Sequence, residues 1–86
     1  MTILKILFTL QAARINLGYT QKDVSRLLNV NVNTIVNWEK DSSNLTFKRI
    51  KQFSSIYHIP KDMIFFGNKN EFIRNYRKNE NKLIKT

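Results

Sequence analysis

The 86-residue chain predicts an all-α fold, a compact domain of five short helices over residues 1–67 followed by a basic tail over residues 68–86. Three observations carry this reading. Apolar residues recur at spacings of three and four, residues able to cap helices stand just ahead of those runs, and two Gly and one Pro leave little material for long loops. With 42% hydrophobic and 12% aromatic residues the chain can fill one core, and its length leaves no room for a second, catalytic domain.

Ile3, Ile6, Leu7, Leu10, Ala13, Arg14 and Leu17 share one helical face, which predicts a first helix capped by Thr2, running to Leu17 and ended by Gly18. The β-branched run from Thr2 to Thr9 also suits a strand. Tyr19 is expected to drop its ring between helices. Thr20 caps a second helix from Gln21 to Leu28, Asn29 takes the left-handed conformation that ends it, and Asn31 caps a third that closes in Trp38 and Glu39. Val24 with Leu28, and Ile35 with Trp38, give these two helices one apolar face each; Val32, Asn33, Val36 and Asn37 project from the opposite face of the third.

Residues 40–44, KDSSN, read as an exposed turn. Thr46 then caps a fourth helix with Phe47, Ile50, Phe53 and Tyr57 on its inner face and Lys48, Arg49 and Lys51 outside. Trp38, Phe47, Phe53 and Phe65 are expected in the core. Pro60 suits the first turn of a short fifth helix that holds Met63, Ile64 and Phe65 and stops at Gly67. In the tail, Ile73, Tyr76, Glu80 and Leu83 are spaced as on an amphipathic helix, and a frayed coil stays equally open.

Fifteen Lys and Arg against six Asp and Glu give a net charge of +9. Nine basic and four acidic side chains leave +5 on residues 1–67, and six against two leave +4 on residues 68–86. A positive domain with a positive tail suits a polyanionic partner, nucleic acid first, although a membrane surface or an acidic protein would select the same charge. No cysteine and one histidine argue against disulfides and metal sites, no motif calls for a cofactor, and the absence of a nucleophile or paired-carboxylate constellation argues against an enzyme. The apolar start MTILKILFTL lacks the build of a secretory signal, and no stretch approaches the ~20 apolar residues of a membrane span. A cytoplasmic protein without a membrane partner is the expectation.

The order of Arg14 and Gly18, Thr20 and Gln21, Ser25, a turn at Asn29, and Trp38 with Glu39 resembles the phage-repressor family, the Cro-like or XRE-type helix-turn-helix proteins. The similarity continues through LTFKRIKQFSSIYHIPKDMIFFGN and covers roughly residues 6–67. Asn29 stands where a glycine is usual, and Val32 where a polar residue is common. The resemblance implies a five-helix repressor-like domain that binds double-stranded DNA, with the third helix in the major groove and Arg14 paired to Glu39.

The resemblance favours a DNA contact for Gln21; an Asn amide matches adenine, and exposed valines suit a thymine methyl or a neighbouring subunit, so Gln21, Val32, Asn33, Val36 and Asn37 are the base-reading candidates. Thr20, Lys22 and Asn31 at the helix openings, with Lys40, Ser42, Ser43, Asn44, Lys48 and Arg49 after the third helix, are the candidates for the phosphate backbone. Because one recognition helix reads only a few base pairs, a homodimer on an inverted repeat is expected, with Ile64, Phe65, Phe66, Phe72, Ile73 and Tyr76 as dimerisation candidates. The rival reading is a protein-interaction module on the same fold, an antitoxin or anti-repressor whose tail holds a protein partner. Leu27, at a place commonly polar in the family, fits extra core or a partner contact.

Overall fold

Every helix begins where a Thr or Asn oxygen accepts a backbone N–H from the first turn: Thr9 from Ala12 (3.1 Å), Thr20 from Asp23 (3.0 Å), Asn31 from Asn33 (2.8 Å), Thr46 from Arg49 (3.3 Å) and Asn68 from Glu71 (3.1 Å). Each such cap contributes about 1 kcal/mol. In the computed structural model, which describes residues 7–85, the helices are α1 (Leu10–Asn16), α2 (Gln21–Leu28), α3 (Val32–Lys40), α4 (Phe47–Tyr57) and α5 (Lys69–Lys85), with a 3-10 turn at Lys61–Met63. Gly18, Asn29 and His58 close α1, α2 and α4 at φ of 76°, 55° and 54°. Among the described residues strand pairing is limited to isolated bridges, and the fold is all-α.

The core gathers Leu10 and Ala13 of α1, Val24 and Leu28 of α2, Ile35 of α3, Phe53 and Tyr57 of α4, and Ile64. Trp38 packs edge-on against Phe53, with ring centroids 5.8 Å apart, and Tyr57 lies between Phe53 and Tyr19. Truncating an aromatic anchor such as Phe53 to Ala costs about 3–5 kcal/mol in a well-packed core.

Three expectations are corrected here. The first helix starts at Leu10, after the Thr9 cap, because residues 7–9 are drawn into backbone pairing: Phe8 donates to the Met63 carbonyl and accepts from the Phe65 N–H, both at 2.8 Å. Thr2, Ile3 and Ile6 lie outside the described residues. The same pairing replaces the expected fifth helix, which shrinks to the 3-10 turn and leaves Ile64 extended in a parallel bridge with Phe8. Phe47 is on the surface, 58% exposed, since the first turn of α4 runs past the core before Phe53 and Tyr57 reach it.

The tail forms α5. Its start is tied to the rest by Lys69, which donates to Gln11 Oε1 at 2.9 Å, and by Phe72, which stacks on Phe65 at 4.4 Å. Phe72 also packs against Tyr76, while Ile73 and Tyr76 are exposed. The side chains of Glu80 and Leu83 lie outside the described residues.

Candidate nucleic-acid interface

Asn29 turns the chain in two steps from α2 into α3. Its left-handed backbone lets its own N–H bond the Arg26 carbonyl and the Val30 N–H bond the Ser25 carbonyl, so the last turn of α2 is closed before Asn31 opens α3. Thr20 and Asp23 form a reciprocal capping box at the start of α2, where the Thr20 N–H reaches Asp23 Oδ2 at 2.9 Å. Those bonds, from the Thr20 backbone first and its hydroxyl second, hold the Asp23 carboxyl below its ordinary value.

The base of α3 is locked by a buried network. Arg14 Nε meets Glu39 Oε2 at 2.6 Å, its Nη2 meets Glu39 Oε1 at 3.2 Å, and its Nη1 donates to the Tyr19 carbonyl at 2.9 Å. Gln21 adds a third bond to the carboxylate, Nε2 to Oε1 at 3.0 Å. The Glu39 hydrogen bond raises the Arg14 pKa above its ordinary value, against the desolvation that opposes it. Elements distant in sequence therefore fix the last turn of α3: α1 through Arg14, α2 through Gln21. The Tyr57 hydroxyl is buried beside this network without a hydrogen-bond partner, and burial first, then the Glu39 charge, pushes its pKa up.

With Ile35 and Glu39 buried and Trp38 half-buried, α3 turns Val32, Asn33 and Asn37 to solvent and leaves Val36 at the margin. Val32 is 38% exposed. A helix held along one side by core and ion pair presents a rigid outer strip of two amides and two valines, chemistry that can meet base edges and thymine methyls. Thr20, Lys22, Asn31, Lys40, Ser43, Asn44 and Lys48 are all exposed. Thr20 and Asn31 use their side-chain oxygens on the caps, and Gln21 spends its amide nitrogen on Glu39, a second use that residue type alone does not signal.

The loop after α3 is fixed to the segment before α5. Asp41 bridges Asn68, the Ser42 N–H donates to the Gly67 carbonyl at 3.0 Å, and the Gly67 N–H donates to the Ser42 hydroxyl at 2.9 Å. Ser42 is consequently 4% exposed with its hydroxyl engaged, which removes it from the phosphate candidates. The Ser43 hydroxyl, then its backbone N–H, keeps the Asp41 carboxyl below its ordinary value. A Cβ at Gly67 would stand 2.6 Å from the Phe65 ring, so a larger residue there would have to displace that ring.

Arg49 departs from its expected place as well. Its Nη1 donates to the Leu28 carbonyl at 3.3 Å and to Gln52 Oε1 at 3.0 Å, and the guanidinium lies 5.5 Å from the Trp38 ring centroid. It joins α4 to the end of α2 and to α3, a position that no sequence spacing discloses. Ile64, 4% exposed, is core and not dimer surface. Phe65 and Phe66 are half-buried, whereas Ile73 and Tyr76, with Leu7, Phe72 and Arg77, line an open depression on α5. Leu27 is exposed, which excludes the reading as extra core.

Two capped helices about a left-handed turn, the second locked at its base and polar on its outer strip, define a helix-turn-helix protein. A family model described as helix-turn-helix matches residues 10–64, and the chain belongs to this Cro-like, XRE-type family. No curated protein matches the chain. The family is one of DNA-binding transcription regulators, typically non-enzymatic, and DNA is the partner that membership supports. Among the described residues no helix is long and apolar enough to cross a membrane.

Proposed function

We propose that the protein is a sequence-specific repressor of the phage or mobile-element type, in which residues 1–67 bind DNA and residues 68–86 are an appended basic tail. The observation that carries the reading is the outer strip of α3, where Val32, Asn33, Val36 and Asn37 stand on a helix whose opposite side is fixed by Ile35 and by Glu39. Asn33 and Asn37 read base edges, Val32 and Val36 meet thymine methyls, and Gln21 supports the contact from the start of α2. Thr20, Lys22, Asn31, Lys40, Ser43, Asn44 and Lys48 take the phosphate backbone.

One recognition helix reads only a few base pairs, so the protein acts as a homodimer on two half-sites about one helical turn apart. The apolar side chains of α5, Ile73 and Tyr76 with Phe72, supply the contact between copies. Selection of bound duplexes from a random pool tests the reading. A palindromic consensus with half-sites one turn apart is expected, and absence of enrichment overturns it. The exposed Leu27 favours a second reading, an antitoxin or anti-repressor that captures a protein partner. In that case truncating the tail abolishes partner capture, and DNA binding is weak and indifferent to sequence.

A further inference from the structure

Phe47, the first residue of α4, follows directly on the loop that leaves the recognition helix and exposes 58% of its surface. Two cations cover it. Lys51, one turn on in the same helix, holds its Nζ 5.1 Å from the ring centroid, and Lys61, from the 3-10 turn, holds its Nζ at 4.8 Å. Each contact is a cation–π interaction with the negative face of the ring, and the rigid ring gathers two ammonium groups from different elements. Their separation cannot exceed the sum of those two distances, which lies within the ~10 Å over which charges stay coupled at 0.1 M salt.

Two like charges held this close repel, and each ammonium carries three donors that the ring satisfies only in part. Among the described residues the one ion pair is Arg14 with Glu39, so neither lysine is tied up in an ion pair with a carboxylate, Asp62 beside Lys61 in the 3-10 turn included. A strand of successive phosphates supplies the anionic oxygens such a pair fits. The third cation of the helix, Arg49, is turned inward to Leu28 and Trp38, so the outward basic side of α4 consists of Lys48 and Lys51, with Lys61 joined to it.

The geometry points to a phosphate clamp at the edge formed by α4 and the 3-10 turn, in which Lys51 and Lys61, positioned by Phe47, hold the DNA backbone beyond the recognition helix. The clamp rests on the DNA-binding reading and extends its footprint to residues outside the helix-turn-helix. It adds affinity without sequence preference, because phosphates carry none.

The test measures binding of the full chain to a random-sequence DNA duplex by fluorescence anisotropy over a salt series, with thermal midpoints to show that each variant is folded. The double variant Lys51→Gln/Lys61→Gln is expected to reduce the slope of log affinity against log salt by about two units. Phe47→Leu, which keeps both charges, is expected to weaken binding several-fold with a smaller change in slope. A double variant with the parent's slope overturns the clamp, and Phe47→Leu binding as tightly as the parent overturns the ring's positioning role. A parent chain without salt-dependent binding overturns the DNA reading itself, a result distinct from either.

Discussion

Arg14 and Glu39 show how single residues hold the recognition helix. A carboxylate buried against a guanidinium is tolerable only while both have partners, and removing one strands the other at about 3–5 kcal/mol. The two ends are not equivalent. Glu39→Ala leaves the Arg14 charge with only the Tyr19 carbonyl, whereas Arg14→Met refills the stem's volume and leaves Glu39 its bond from Gln21. Chemical denaturation should therefore show a loss for both variants and the larger one for Glu39→Ala; the reverse order would contradict the part given to Gln21, and no loss in either variant would speak against the pair as the lock. Tyr57 predicts the opposite kind of result. Its hydroxyl is buried without a partner, so Tyr57→Phe should leave the thermal midpoint unchanged or higher. A loss above about 1 kcal/mol would mean that the hydroxyl is satisfied after all.

Helix boundaries set by local chemistry could be read from sequence, and those set by distant pairing could not. Thr20, Asn29, Asn31 and Thr46 act within a few residues of themselves, and each stands where the spacing placed it. The start of α1 and the stretch around Ile64 depend instead on one another across more than fifty residues of sequence, through Phe8. Nothing in either segment alone signals that contact. His58 is less legible: it ends α4 at a positive φ, which histidine adopts more often than most side chains but far less readily than glycine, and nothing in its spacing marks it as a helix end. That strain gives a prediction at the level of the element. His58→Gly should raise stability by up to about 1 kcal/mol in urea titration, and Asn29→Gly should gain less because Asn tolerates the left-handed region. A larger gain at Asn29 would contradict this account of the two helix ends.

At the scale of the molecule, the part legible from sequence was the helix-turn-helix with its outer strip, because periodicity, caps and the run from Arg14 to Glu39 all converge there. What sequence left open was the division of labour among the basic residues: Ser42 and Arg49 are consumed by the fold, while Lys51 and Lys61 gather on Phe47. The tail's composition suits helix and coil alike, and its backbone runs as α5 over Lys69–Lys85. Ile73 and Tyr76 are left exposed on α5, and the proposed homodimer requires them to be covered. Ile73→Glu should shift the sedimenting species at micromolar concentration from dimer to monomer with little change in thermal midpoint. A parent chain that sediments as a monomer with and without DNA would remove the dimer.

The central claim is that the outer strip of α3 reads bases while the cations around it position the backbone. It is tested most directly by comparing Asn33→Ala with the parent on the selected duplex and on a random one. The account predicts a loss of about 1–3 kcal/mol, roughly 5- to 150-fold, on the selected duplex, with random-duplex affinity and salt slope unchanged. An equal loss on both duplexes, or none on either, would contradict it.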